Sequence, residues 1–105
     1  ASTCGPCRKE NLMIRSAYDR FHSKGFDVLG ISTDVRKEAW LAAIEQDGLI
    51  WTNLCSQKKW NENEVVKTYA LRQVSQNFLL DSAGKILATD LRGEELMNTL
   101  EELLY

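Results

Sequence analysis

The sequence predicts a single α/β domain, because three observations agree. Four segments carry apolar residues at helical spacing, and short apolar runs bounded by turn residues lie between them. The chain has 105 residues, of which 44% are hydrophobic and 27% charged, as in an ordinary globular domain.

Thirteen Lys and Arg against 15 Asp and Glu give a net charge of −2, which provides no basic field for nucleic acid and no patch for anionic lipid. The longest apolar runs span only a few residues, so no membrane contact is expected from this domain.

Glycine and capping residues delimit the elements of the first half. A first helix is predicted to end at Gly25, since the apolar positions before it recur at near-helical spacing. Residues 26–32 are apolar and β-branched between turn signals, which predicts a buried strand. Thr33 or Asp34 is then expected to cap a second helix, which Gly48 ends.

The second half predicts two more helices and a hairpin. Residues 49–54 are apolar and extended, and Asn61 with the acidic residues after it suits the start of a third helix. Apolar runs at 77–80 and 85–88 flank a turn, which indicates a β-hairpin. Residues 93–105 carry leucines at helical spacing and form the last helix. The predicted order is α, β, α, an extended piece, α, β-hairpin, α.

One strand is missing from this order. A helix commonly connects two parallel strands, so a strand is expected before the first helix, and this sequence does not contain it. Without that strand the central sheet would expose an unpaired edge. We therefore expect residues 1–105 to be an N-terminally incomplete domain of a longer protein.

A pair of cysteines is the clearest chemical motif. Cys4 and Cys7 lie three residues apart at the start of the first helix, and Cys55 stands alone. Free backbone N–H groups and the helix dipole at an N-terminus stabilise an anion, which lowers the pKa of a thiol there. The spacing permits an intramolecular disulfide, so Cys4 is predicted to attack and Cys7 to resolve the mixed disulfide. Gly5 and Pro6 form the helix-tip loop, where proline costs little and adds stiffness.

Two other uses of the cysteine pair are less favoured. A structural zinc site needs four ligands, and the spare soft ones are Cys55 and His22. His22 lies on the same helix, about 20 Å from Cys7 at 1.5 Å per residue, so it cannot share a metal with that pair. A purely structural disulfide across so short a loop would constrain little of the unfolded chain. A redox-active pair is therefore predicted, with no metal and no cofactor.

Two charged residues follow the pair on the same helix. Arg8 adds positive charge near Cys4. Glu10 lies about one turn beyond Cys7, where a partly buried carboxyl group would raise the thiol pKa values by charge repulsion and carry protons during exchange. The spacing alone leaves open the alternative that Glu10 is a solvated surface charge.

The chain resembles the thioredoxin-like domains of the TlpA/ResA group in four segments. They are ASTCGPCRKE at 1–10, GFDVLGISTD at 25–34, NFLLD at 77–81 and LRGEEL at 91–96. The resemblance implies a thioredoxin fold with an inserted strand and helix, in a thiol–disulfide oxidoreductase of the bacterial periplasm or cell envelope. It also implies two kinds of partner, cysteine-containing protein substrates and an upstream electron-donor protein. Glu10 matches an acidic residue of that group, which favours its functional interpretation.

The chain departs from the group at three places. Thr3 stands where the group usually has Trp, and residues 11–12 stand where it usually has Pro. In the substrate loop, Val74 is followed by Ser75 instead of a cis-proline. A cis bond before a non-proline residue costs about 2.5–4 kcal/mol, so the bond between them is predicted to be trans. Two alternatives follow for Ser75. Its hydroxyl group donates a hydrogen bond to the Cys4 sulfur, or the loop merely tolerates the absence of the proline ring, with reduced activity or altered specificity.

Three functions compete on these residues. The leading prediction is an oxidoreductase that exchanges the Cys4–Cys7 disulfide with protein cysteines, and the Gly-Pro dipeptide of thioredoxin favours a reductant or reshuffling role. The alternative is a redox-inactive thioredoxin-fold module that docks peptides, which the Ser75 substitution supports. A thiol peroxidase ranks lower, because it usually has Thr or Ser three residues before the attacking cysteine, where Cys4 has Ala1.

Overall fold

The computed structural model describes residues 1–72 and 75–104. The helices are α1 (Gly5–Phe21), α2 (Lys37–Asp47), α3 (Glu64–Thr68) and α4 (Gly93–Leu104); the strands are β1 (Leu29–Ser32), β2 (Thr52–Cys55), β3 (Phe78–Leu80) and β4 (Ile86–Thr89). Their order along the chain is the predicted one, with the extended piece present as β2. Within the described ranges, no helix has the length and apolar character to span a bilayer.

The two predicted glycine stops are confirmed. Gly25 follows α1 and a 3₁₀ turn at His22–Lys24 with φ of 103°, and Gly48 ends α2 with φ of 64°. Both angles lie in the left-handed region that glycine adopts without strain. The glycines therefore turn the chain from each helix toward the following strand.

The starts of α2 and α3 differ from the prediction. Arg36 precedes α2 and makes no side-chain cap hydrogen bond, so the expected cap at Thr33 or Asp34 is wrong. The helical region expected at Asn61 is a 3₁₀ turn, and α3 itself follows Asn63, whose side chain accepts hydrogen bonds from two N–H groups of the first turn. The general positions were predicted because polar cap residues are common there, but the choice among neighbouring polar residues depends on what else each one contacts.

The described strands form two separate two-stranded sheets. β1 and β2 pair in parallel, with Leu29 opposite Thr52, whereas β3 and β4 form an antiparallel hairpin, with Phe78 opposite Thr89. Among the described residues β1 and β3 each pair with one neighbour only, and a cavity of about 980 Å³ is lined by both strands and by residues of all four helices. The predicted strand before α1 is absent from the described residues, and the unpaired edges of β1 and β3 border this cavity.

β1 is shorter and more exposed than the sequence predicts. It begins at Leu29 rather than at Phe26, and it is not a buried strand, because Leu29 is 56% exposed and Ile31 42% exposed. Both side chains line the cavity, as does Leu80 on β3, which is also exposed. An apolar composition that normally marks a buried strand therefore faces an open space here.

The hydrophobic core lies between α1, the hairpin and α4. Its buried members are Ala17, Phe21, Leu91, Leu96 and Leu100, with Ile14, Phe26, Leu79, Ala88, Met97 and Leu104 packed against them. Phe21 and Leu100 are among the least exposed side chains, and truncating such residues typically costs about 2–5 kcal/mol. This packing holds the carboxyl-terminal half of α1 and thereby fixes the direction in which its N-terminus points.

Candidate active site

Cys4 and Cys7 form a disulfide at the N-terminus of α1, with their Cα atoms 5.2 Å apart. Cys4 is the residue that caps the helix, and its Sγ accepts a hydrogen bond from the backbone N–H of Cys7 at 3.2 Å. Cys7 is only 3% exposed, whereas Cys4 is half-buried. The more exposed of the two cysteines therefore sits at the helix N-terminus, where free N–H groups favour negative charge.

The helix tip around Cys4 is open. Thr3, Gly5 and Pro6 are exposed, and Pro6 lies in the first turn of α1 as predicted. Among the described residues, apart from Cys4, Pro6 and the nearby backbone of α1, no heavy atom lies within 4 Å of the position that a Cβ on Gly5 would occupy. A partner chain can therefore approach the Cys4 side of the disulfide without displacing a side chain from this position.

Glu10 lies one turn further along α1, in a half-buried cluster. Its side chain is 14% exposed, and both carboxylate oxygens accept hydrogen bonds. Ser75 Oγ donates to Oε2 at 2.8 Å, Arg92 Nη1 donates to Oε1 at 2.9 Å, and Asn77 Nδ2 donates to Oε1 at 3.5 Å. Glu10 is thus a paired group beside the disulfide, in contrast to the solvated surface charge of the alternative interpretation.

Ser75 is turned toward Glu10. A serine hydroxyl has a single proton to donate, and here it is donated in a hydrogen bond to Glu10. Of the two alternatives for Ser75, the hydrogen bond to the Cys4 sulfur is therefore wrong. The backbone carbonyl of Ser75 accepts a hydrogen bond from Arg92 Nη2 at 2.6 Å. Val74 lies outside the described residues, so its place in the substrate loop and the trans bond before Ser75 stay predictions.

A second carboxylate, Asp34, lies just beyond the end of β1. It is 8% exposed, and it accepts hydrogen bonds from the Ser2 backbone N–H at 3.0 Å, the Ser2 hydroxyl at 2.6 Å and the Ser32 hydroxyl at 2.5 Å. Burial raises the pKa of Asp34, but the hydrogen bonds from Ser2 and Ser32 outweigh burial, so the pKa lies below its ordinary value. Asp34 therefore anchors the residues that lead into Cys4.

Sequence reasoning missed this anchor. Asp34 was expected to cap α2, although one signal pointed elsewhere: it follows the carboxyl end of a strand, and hydroxyl residues stand at 2 and 32. Cys55 belongs to the same region, because its S–H group donates to the backbone carbonyl of Asp34 at 3.1 Å. Cys55 is a free, half-buried thiol.

Arg8 does not leave an unbalanced positive charge beside the cysteines. Its Nε and Nη2 donate to the two carboxylate oxygens of Asp47 at 2.9 and 3.0 Å, and Nη2 also donates to Gln46. The hydrogen bond from Arg8 lowers the pKa of Asp47, more than the slight burial raises it. The arginine therefore ties α1 to α2, and its effect on the thiols is weaker than the sequence suggests.

A comparison with protein families identifies the chain. The model of the AhpC/TSA family matches residues 1–89. The chain belongs to the AhpC/TSA family. Among curated proteins, the thiol-disulfide oxidoreductase ResA of Bacillus thuringiensis subsp. konkukian is 27% identical over 101 residues, which are 96% of this chain and 56% of that protein. The chain thus spans about half the length of the curated relatives that it matches.

Solved structures extend this family match to the fold. The thioredoxin domain of a thiol-disulfide oxidoreductase from Bacteroides vulgatus is 36% identical with a TM-score of 0.89, over 99% of this chain and 74% of that one. A thiol-disulfide oxidoreductase from Bacteroides fragilis is 39% identical, also with a TM-score of 0.89, over 99% and 76%. These matches confirm the thioredoxin-like α/β fold and the resemblance that the four sequence segments indicate.

Proposed function

We propose that this chain is the thioredoxin-like part of a thiol–disulfide oxidoreductase that exchanges the Cys4–Cys7 disulfide with cysteines of other proteins. The observation that carries the proposal is a disulfide at an open helix N-terminus, with the more exposed cysteine at the tip. Similar proteins of the same fold bear the name thiol-disulfide oxidoreductase, which supports the same activity.

In the reducing direction the two cysteines act in sequence. The Cys4 thiolate attacks one sulfur of a substrate disulfide, forms a mixed disulfide, and expels the other substrate sulfur as a thiolate that takes up a proton. The Cys7 thiolate then attacks the Cys4 sulfur, closes the Cys4–Cys7 disulfide and releases the second substrate sulfur. Two electrons pass to the substrate, and an electron-donor protein returns two electrons to the pair. The Cys7 N–H that bonds Cys4 Sγ favours the attacking thiolate.

The other site residues receive supporting roles in this proposal. Glu10 lies on α1 at a spacing that makes it a neighbour of Cys7, so its carboxylate opposes negative charge on the thiols and can exchange protons with them. Ser75, with Val74 before it, forms the loop that presents backbone groups to an extended substrate. Gly5 and Pro6 keep the tip free for the approach of that substrate.

Direction, partners and location rest on the resemblance. The Gly-Pro dipeptide between the cysteines supports a reductant or disulfide-reshuffling role over that of a strong oxidant. The partners are cysteine-containing protein substrates and the electron-donor protein. We place the domain outside the cytoplasm, in the bacterial periplasm or cell envelope.

The cavity between β1 and β3 supports the expectation of a further strand. Both strands have an unpaired edge within the described chain, and apolar side chains line the space between the edges. We propose that an extended segment preceding Ala1 in a longer protein fills this space and pairs with both edges. A chain that includes such a segment is expected to unfold at a higher urea concentration than residues 1–105; equal unfolding midpoints would contradict the proposal.

A redox titration tests the proposed activity. The protein is equilibrated across thiol–disulfide buffers, and alkylation of Cys4 and Cys7 is read by mass. We expect a reversible two-electron transition between about −200 and −300 mV. The transition is expected to vanish in Cys4→Ser and to persist in the matched control Cys55→Ser. If the Cys4–Cys7 disulfide is neither reduced nor re-formed in any buffer, the proposal is overturned and the peptide-docking module is favoured. A partner of such a module would stay bound after Cys4→Ser and Cys7→Ser. Peroxide consumption by Cys4 alone would instead indicate a peroxidase.

A further inference from the structure

Arg92 connects Glu10, which lies one turn beyond Cys7 on α1, with Ser75. It follows β4 and directly precedes α4, and its Nη1 donates to Glu10 Oε1 at 2.9 Å while its Nη2 donates to the Ser75 carbonyl at 2.6 Å. The two donors belong to one planar guanidinium group, which holds its acceptors in a fixed relative position. One side chain thus joins α1 to the loop that carries Ser75.

The hydrogen bonds around Arg92 close into a ring. Ser75 Oγ donates to the second oxygen of Glu10, so Ser75 is bound to α1 through its hydroxyl and to Arg92 through its carbonyl. Asn77 holds the backbone next to Arg92: its side chain donates to the Leu91 carbonyl at 2.9 Å and accepts from the Leu91 N–H at 3.2 Å. The residue before Arg92 is thus held twice, by the burial of the Leu91 side chain in the core and by the hydrogen bonds from Asn77 to the Leu91 backbone.

We propose that Arg92 is a positioning residue for thiol–disulfide exchange, holding the Ser75 loop against α1 and balancing the charge of Glu10 next to Cys7. The proposal rests on the proposed function and goes beyond it, since it assigns the order of the substrate loop and part of the thiol electrostatics to a residue 82 positions away from Glu10. Arg92 acts through Glu10 and Ser75.

The charge argument has a definite sign. Without Arg92, the described hydrogen-bond donors that remain on the Glu10 carboxylate are the neutral ones of Ser75 and Asn77, so its negative charge is balanced less. A less balanced carboxylate repels a thiolate on the neighbouring turn more strongly, so thiolates form at higher pH. Among the described residues, the other charged groups near this end of α1 are the exposed Lys9 on α1 itself, Asp90 beside Arg92, the pair of Arg8 on α1 with Asp47 on α2, and Asp34 from the β1–α2 connection. None of these contacts changes when only Arg92 is replaced, except the 3.8 Å approach of Asp90.

The experiment compares Arg92→Gln and Arg92→Lys with a control, Arg20→Gln. Arg20 makes an ion pair with Glu101 at 3.6 Å and lies thirteen residues beyond Cys7 on α1, roughly 20 Å along the helix axis. The control therefore removes the same charge from a surface ion pair at a distance. Two quantities are measured on reduced protein: the pH midpoint of Cys4 alkylation, read on the Cys4 peptide, and KM and kcat for reduction of a disulfide-bonded protein.

The two replacements separate charge from geometry. Arg92→Gln is expected to raise the alkylation midpoint by roughly half a pH unit or more and to raise KM. Arg92→Lys is expected to restore the midpoint, because the charge is kept, but to leave KM raised several-fold, because one ammonium group cannot hold both acceptors in a fork. Arg20→Gln is expected to match the wild type in both quantities.

The outcomes distinguish the two proposals. An Arg92→Gln protein that matches Arg20→Gln in midpoint and KM, while the wild type exchanges disulfides, overturns the role of Arg92. Full recovery of KM by Lys overturns the bridging geometry. If Arg92→Gln does not fold, as judged by its urea unfolding, the KM of Arg92→Lys decides in the same way. A wild type without any exchange would overturn the proposed function, and the alkylation midpoints would then decide the role of Arg92 without it.

Discussion

Two carboxylates flank the N-terminus of α1, and their surroundings differ. Asp34 is buried and accepts hydrogen bonds from neutral groups of Ser2 and Ser32. Glu10 is half-buried and is held by the cation of Arg92 together with neutral donors from the Ser75 loop. The hydrogen bonds of Asp34 hold the backbone of Ser2, two residues before Cys4. Glu10 instead places a carboxylate, paired with a partly exposed arginine, one turn beyond Cys7.

These surroundings indicate that Asp34 mainly stabilises the fold, whereas Glu10 mainly affects the reactivity of the cysteines. A carboxylate removed from water is costly unless its oxygens are hydrogen-bonded, and Asp34 meets that condition through donors that belong to the N-terminal segment and to β1. If Ser2 or Ser32 moved away, the buried Asp34 carboxylate would lose the hydrogen bonds that compensate for its removal from water. The partners of Glu10 are side chains from the segment before β3 and from the connection before α4, of which Arg92 is 42% exposed. Replacements at Asp34 should therefore reduce stability, and replacements at Glu10 should change thiol chemistry.

The largest expected effect is the loss of stability in Asp34→Ala. The change leaves the Ser2 N–H and two hydroxyl groups without their acceptor in a buried place, so the free energy of unfolding should fall by roughly 2–4 kcal/mol. Urea denaturation measures it. Asp34→Asn keeps the shape and one acceptor oxygen, so it serves as the control and should lose less. An Asp34→Ala protein as stable as the wild type would remove the contrast between the two carboxylates.

Glu10→Gln is expected to show the opposite pattern. The free energy of unfolding should change by less than about 1 kcal/mol, because Gln keeps the shape and an acceptor oxygen and because the arginine partner is 42% exposed. The pH midpoint of Cys4 alkylation should fall by roughly half a unit, since a negative charge near the thiols is removed. A midpoint equal to that of the wild type would show that Glu10 does not act on the thiols.

The acid dependence of stability sharpens the comparison further. The pKa of Asp34 is lowered in the folded protein, so its contribution to stability is complete above the ordinary pKa of an unfolded Asp, about 3.9, and is lost as the pH falls through the folded value. Unfolding measured between pH 5 and pH 2 should therefore be less pH-dependent in Asp34→Asn than in the wild type. Equal slopes in the two proteins would indicate that Asp34 titrates alike in both states.

The smallest expected effect concerns a third carboxylate, Asp47. It is paired with Arg8 in a bidentate contact that joins α1 and α2, and its pKa is lowered by that hydrogen bond. Arg8 is 31% exposed and keeps its charge when Asp47 is replaced, so Asp47→Asn should lower the urea midpoint less than Asp34→Asn does. The effect of Asp47→Asn should also shrink at high salt, because salt screens the ion pair of the wild type. A larger loss in Asp47→Asn would place the main polar anchor of α1 at α2 instead of at β1.

Much of the fold was predictable from local patterns. The extents of α1 and α4, the β3–β4 hairpin and the glycine stops follow from spacings of a few residues, which are read within one helical turn or one strand. The cysteine pair at a helix N-terminus was predictable for the same reason, because Cys4 and Cys7 lie within one turn. The predicted burial of β1 was wrong, since an apolar sequence indicates which surface needs covering but does not provide the neighbour that covers it.

The composition, the order of elements and the cysteine motif were thus properties of the sequence alone. The charge balance around the motif was decided in three dimensions: Ser2 meets Asp34 across 32 residues, Ser75 meets Glu10 across 65, and Arg92 meets Glu10 across 82. Each of these residues had several polar groups of equal chemical suitability as partners. For Glu10, the choice followed from the packing of α1 against α4 and the hairpin, because that packing sets which arginine and which hydroxyl group lie within reach of its carboxylate.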